Sequence, residues 1–161
     1  MKRKIITVIF CFAIFFVLSS SQKSKIISRN SVGFKSDSNN INYVKDLNAK
    51  KFIDLCVKKY NESERLNFIV FGGDFPENWV KKQDVEYLIR NLNSKQKCCG
   101  YMNVFSSYIS SDSAEVGGFA ILFIKSYIEK KTLNLGLNSN PKVDKKEVEN
   151  IMKWYKNNRQ K

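Results

Sequence analysis

No histidine occurs among the 161 residues. Imidazole is the one side chain whose ordinary pKa lies near neutrality, and it is the commonest metal ligand. Ser-His-Asp and Cys-His catalysis therefore cannot be assembled within this chain, nor can the usual His-containing catalytic zinc sites. Carboxylate pairs, a serine with a lysine base, or a cysteine activated without imidazole remain for an enzyme. Cysteine is scarce too: the four are Cys11, Cys56, Cys98 and Cys99, too few for a dense disulfide framework. No internal repeat of fixed period is present. No short window concentrates basic charge as a nucleic-acid patch does, so nucleic acid is not an expected partner. Gly72 and Gly73 follow a strand-like run, but Asp74, Phe75 and Pro76 stand where a phosphate loop carries Lys-Ser or Lys-Thr. Nothing in these patterns requires a cofactor or a metal.

What is present begins with an export signal. Lys2, Arg3 and Lys4 precede an apolar stretch over residues 5–18, which meets Ser19, Ser20 and Ser21. This order of basic, apolar and small residues is that of a secretory signal peptide. The stretch falls short of the roughly 20 residues that cross a bilayer as a helix. Cleavage after Ser21 leaves a periplasmic or secreted chain with no permanent membrane span. It removes Cys11 and three of the 28 basic residues, leaving 25 against 15 acidic ones, a net charge of about +10. Such a charge favours encounter with an acidic protein or an anionic envelope surface. The lysines are nevertheless spread in pairs, Lys58 and Lys59, Lys81 and Lys82, Lys145 and Lys146, as on solvated helix faces.

Residues 22–42 are rich in Ser, Asn and Lys and read as a flexible leader. The remaining 43–161 suffice for one domain with its own core. Val44, Leu47, Phe52, Leu55, Cys56 and Tyr60 lie largely on one helical face. Residues 66–71 form a short apolar run closed by glycines, which predicts a strand. Val85, Leu88, Ile89 and Leu92 predict a second helix. Residues 101–109 suit either type, and the spacing of Met102, Phe105 and Ile109 favours a helix. Residues 116–128 are apolar throughout, as a buried helix is, with Gly117 and Gly118 admitting another backbone. Residues 134–142 carry turn chemistry. Asp144 with Glu147 three residues on marks a helix start, followed by an inward stripe of Val148, Ile151, Met152 and Tyr155. The expectation is a mainly α fold: one domain of four or five packed helices with at most a short strand pair.

Several residues could carry chemistry. Asp74, Glu77, Asp112 and Glu115 fall in expected loops, where two carboxylates across a cleft make a glycosidase; the plainer reading is turn and cap residues, Asp112 being placed to cap the helix after it. Ser94 and Lys97 match Ser-x-x-Lys, but the companion motifs of penicillin-recognising enzymes are missing. Cys98 and Cys99 lack the two-residue spacing of redox pairs. Cys56 either bridges to Cys98 or Cys99 in an oxidising compartment or serves as a small buried residue. Trp79 either fills the core beside the second helix or, if exposed, anchors an interface.

The run Trp79 to Ile89, with Ser106-Ser107-Tyr108-Ile109 and Gly117-Gly118 downstream, resembles a group of small uncharacterised exported bacterial proteins. The resemblance covers about 50 residues and implies a helical fold and an envelope address, with no activity. Asp112-Ser113-Ala114 resembles a bacterial O-glycosylation acceptor. The function expected is a non-enzymatic exported protein that binds an acidic protein partner, in an immunity or accessory role; the alternative is a His-free cell-wall glycosidase using the loop carboxylates.

Overall fold

The computed structural model describes residues 41–63 and 66–158, so the signal-peptide reading and most of the leader lie outside them. β1 (Asn42–Tyr43) leads through a single 3-10 turn into α1 (Ala49–Glu62). The Asn48 side chain caps α1 by accepting the Lys51 amide at 2.8 Å, satisfying one of the free N–H groups of the first turn. Next come β2 (Phe68–Gly72), α2 (Lys82–Asn91), β3 (Lys97–Cys98), β4 (Gly100–Asn103), β5 (Ala114–Glu115), α3 (Val116–Glu129), β6 (Asn138–Ser139) and α4 (Lys145–Asn158).

These elements correct the expectation of a mainly helical fold. Among the described residues, four α-helices accompany a four-stranded mixed sheet of order β1-β2-β4-β6 and a second sheet made of β3 and β5. β1, β2 and β4 run parallel, and β6 lies antiparallel on β4. The fold is α/β. The correction turns on residues 101–109, read from the sequence as helical. Tyr101 and Met102 instead sit in β4, paired with Ile69 and Val70 of β2. Both are buried, whereas Phe105 and Ile109, the rest of the supposed helical stripe, are 86% and 69% exposed. A strand covered on both faces shows no alternation of apolar and polar residues, and its partner lies some thirty residues away in the chain, so neither cue is visible locally.

β2 and the four helices fall close to their sequence signals, whereas β1, β3, β5 and β6 had none. β2 reads Phe-Ile-Val-Phe-Gly and is almost wholly buried, as a central parallel strand should be. Asp144 Oδ1 accepts the amides of Lys146 (2.8 Å) and Glu147 (3.2 Å), starting α4 as its spacing predicted. α3 is buried from Val116 through Ile121 and again at Phe123 and Ile124, and it packs against α1, α2 and α4. Its glycines permit this. A methyl group on Gly117 would stand 2.5 Å from the Leu92 carbonyl oxygen, and one on Gly118 would stand 2.3 Å from that of Pro141.

Gly118→Ala should therefore destabilise the fold, by about 1–3 kcal/mol of overpacking, even though alanine is the better helix former. Gly136→Ala meets no atom within 4 Å but places a side chain at a φ of 66°, which costs about 1–2 kcal/mol. Urea unfolding of the two variants checks both, and a Gly118→Ala protein as stable as the parent would show that the α3 contact tolerates a methyl group.

Candidate functional site

A cavity of about 460 Å³ opens where the ends of three helices meet. The start of α2 and the turn before it supply Asn78, Val80, Lys81 and Lys82; the end of α3 supplies Ser126, Tyr127, Ile128 and Lys130; the end of α4 supplies Trp154 and Asn158. No carboxylate lines it. Lys81, Lys82 and Lys130 are exposed and take part in no ion pair among the described residues.

Local interactions fix this arrangement. The carboxylate of Asp84, itself buried, accepts the backbone N–H of Lys81 at 2.9 Å and so closes the first turn of α2. The Ser126 hydroxyl donates to the Lys131 carbonyl at 3.0 Å, and the Lys131 amide donates back to the Ser126 carbonyl at 3.1 Å. Lys130 thereby ends α3 in the left-handed conformation. Among the described residues the two non-glycine positions with positive φ are Asn78 (50°) and Lys130 (51°), and both line this cavity. Backbone in that region is sparsely populated by L-residues and tends to gather at functional sites. Tyr127 and Trp154, their rings edge-to-face at 6.1 Å, give the cavity an aromatic wall.

A second cavity, about 280 Å³, lies at the carboxyl ends of β2 and β4, where open α/β sheets commonly bind ligands. It is lined by Gly73 and Asp74 after β2, by Tyr101 and Asn103 of β4, and by residues 132–136. The Asn103 amide donates to the Tyr101 hydroxyl at 3.0 Å, and its carbonyl oxygen accepts the Phe105 N–H at 2.9 Å. Burial pushes the Tyr101 phenol above its ordinary range; the Asn103 hydrogen bond opposes this and the Asp74 charge adds to it.

Of the four sequence-predicted carboxylates, Asp74 lines this cavity and the other three do not. Glu77 is exposed in the turn after Pro76. Asp112 does not cap α3, whose cap position is Glu115 and has no side-chain cap bond. It pairs instead with Lys142 at 3.0 Å, and that hydrogen bond holds its carboxyl below the usual range. Glu115 accepts the Val143 N–H at 2.9 Å. Asp112 and Glu115 thus meet the same short segment, each engaged with it. Trp79 is buried, its indole N–H donating to the Val44 carbonyl at 2.9 Å. Ser113 is buried as well, so the Asp112-Ser113-Ala114 motif does not present its hydroxyl to a glycosylating enzyme.

Cys56, Cys98 and Cys99 come together as free, buried thiols. The Cys99 amide donates to the Cys56 carbonyl at 3.1 Å. Burial pushes Cys98 up to about 12 and Cys99 up to about 11, and it raises Cys56 well above its ordinary range, with Cys98 and Cys99 adding to that rise. Among the described residues no group of three or more acidic or thiol side chains is placed to hold a metal ion, and no helix is long and apolar enough to cross a membrane.

The lysine cavity was not foreseen. Lys81 and Lys82 read as one more solvated pair, and no local pattern links them to Lys130 or Trp154. Compared with protein-family models, with curated proteins and with solved structures, the chain shows no match.

The thiols yield a prediction whose sign follows from linkage. Their folded pKa values lie above the ordinary 9.0, so the protonated folded state contributes stability that is complete below pH 9 and is lost as pH rises toward 11–12. Ellman's reagent at pH 8 should leave the native thiols unmodified and titrate them after unfolding. Urea midpoints from pH 8 to 10.5 should fall less steeply for Cys98→Ala than for the parent; equal slopes would show that Cys98 is not held as a neutral thiol.

Proposed function

We propose that this is an exported, non-enzymatic binding protein whose lysine-lined cavity receives carboxylates of an acidic protein partner. The observation that carries the reading is the convergence of Lys81, Lys82 and Lys130 in one cavity without one carboxylate in its lining to neutralise them. Like charges gathered from separate elements repel one another and are relieved by an anionic partner. The aromatic wall favours protein over a free anion, because a half-buried Trp154 beside cations offers both apolar area and charge to a side chain. Lysine presents a point charge and suits carboxylates of varied orientation, whereas rigid bidentate recognition would call for arginine.

Export supports the same reading through the order of charge and apolar residues at the N-terminus. The engagement of Asp112 and Glu115 in structural contacts weighs against the glycosidase alternative. Hydrolysis there needs two carboxyl groups flanking one bond, and Asp74 alone lines the sheet-end cavity.

The test is a pull-down from envelope extracts with the parent and with a Lys81→Glu/Lys82→Glu/Lys130→Glu variant. The parent should retain an acidic protein that salt elutes, and the variant should lose it by at least about tenfold, since close charge pairs couple by more than 1.4 kcal/mol. A partner held equally by both proteins would move the interface elsewhere. Peptidoglycan zymography should show no clearing; clearing that Asp74→Ala abolishes would replace this reading with the enzymatic one.

A further inference from the structure

The sheet-end cavity has a chemistry opposite to that of the lysine cavity, and the acidic-partner reading leaves it unused. No lysine or arginine lines it. Its one charged group, Asp74, is exposed and in no ion pair among the described residues. Around that carboxylate stand neutral hydrogen-bonding groups: the Tyr101 and Thr132 hydroxyls and the Asn103 and Asn134 amides. The Asn103 and Asn134 carbonyl oxygens are already fixed by backbone amides, those of Phe105 and Gly136, which sets the orientation of both side chains in advance. A pre-organised polar set of this kind lowers the ordering penalty of binding.

One aromatic ring adjoins the lining. The Tyr43 ring lies against the Gly72–Gly73 backbone, 3.0 Å and 3.8 Å from where side-chain carbons would begin, and is 47% exposed. Gly73, at a φ of 76°, turns the chain away from β2 beside this ring without covering it. Gly136 also lines the cavity in a left-handed conformation, Leu137 (57% exposed) follows it directly, and Phe105 (86% exposed) lies two residues after the lining residue Asn103. Leu137 is held there by its carbonyl, which accepts the Asn103 N–H at 2.8 Å.

We propose that this cavity binds a neutral, hydroxyl-rich saccharide, with Asp74 and the two asparagines bonding its hydroxyls and Tyr43 or Phe105 packing on the apolar face of a ring. The ligand class follows from exclusion and fit. A lone carboxylate repels phosphate and carboxylate ligands, while hydroxyl groups supply the donors that Asp74 lacks and the acceptors that the amide N–H groups need. The volume, about 280 Å³, is at the small end of ligand pockets and suits one or two sugar rings. With a single carboxylate at hand, the site holds sugar without cleaving it.

The experiment is isothermal titration of the full mature chain with chitotetraose, cellotetraose and maltotetraose. At least one should bind saturably. Asp74→Asn, at an exposed position that the fold does not use, should weaken that binding by about tenfold, the loss of a hydrogen bond to a charged group. Phe105→Ser should weaken it several-fold, and Lys81→Glu/Lys82→Glu/Lys130→Glu should leave it unchanged, which separates this site from the lysine cavity. No saturable binding by any of the three would overturn the proposal. So would retention of full affinity by Asp74→Asn, or saturable binding of spermidine that Asp74→Asn abolishes while the sugars do not bind, which would mark the site as one for amines.

Discussion

The ring of Phe52 stands 4.6 Å from Phe71, in a stacked arrangement, and 5.3 to 6.1 Å from Phe75, Trp79, Phe119 and Phe123. Those six side chains come from α1, β2, the loop after β2, and α3, so one ring joins the sheet to the helical layer between the two cavities. Aromatic pairs add about 0.5–1.5 kcal/mol each beyond the area they bury. Tyr101 extends the stack from Phe71 at 5.5 Å and carries it to the floor of the sheet-end cavity. On the other flank, Trp79 anchors the loop that becomes the first wall of the lysine cavity. Both sites are therefore positioned by a core that neither uses for chemistry.

The sequence made the helices legible because each buries one face and keeps lysines on the other, and the Asp144 start and the Gly117–Gly118 approach rest on local chemistry that a single chain segment displays. The sheet was legible only in part. β2 announced itself by five apolar residues closed with glycines, but β1, β3, β5 and β6 are two residues long, below the length at which any periodicity can show. β4 offered aromatic residues that served either reading. What decided it was register with β2, a tertiary fact.

The cavities were less legible than the fold for the same reason. Asp74 was picked out as a loop carboxylate and does line a cavity, but its neighbours Asn103 and Asn134 carry no signal of their own. Lys81 and Lys130 meet only because α2 begins where α3 ends. The cysteines are the converse case: their scarcity pointed to a bridge or to burial, and it took α1 against β3 to bring all three thiols into one dry region. Asn78, a residue that tolerates the left-handed region, turns the chain after Pro76, and Lys130 adopts it as the cap of α3.

The connection that leaves α3 has one more implication. Lys130 belongs to the lysine cavity, and Thr132, two residues later, already belongs to the sheet-end cavity. A single surface strap, pinned at its start by the reciprocal bonds of Ser126 and Lys131, is wall to both. Insertions and deletions are ordinarily tolerated in such connections, but here a change of one residue would redraw the walls of two cavities together. Descendants of this chain would be expected to vary the strap's side chains freely and its length hardly at all.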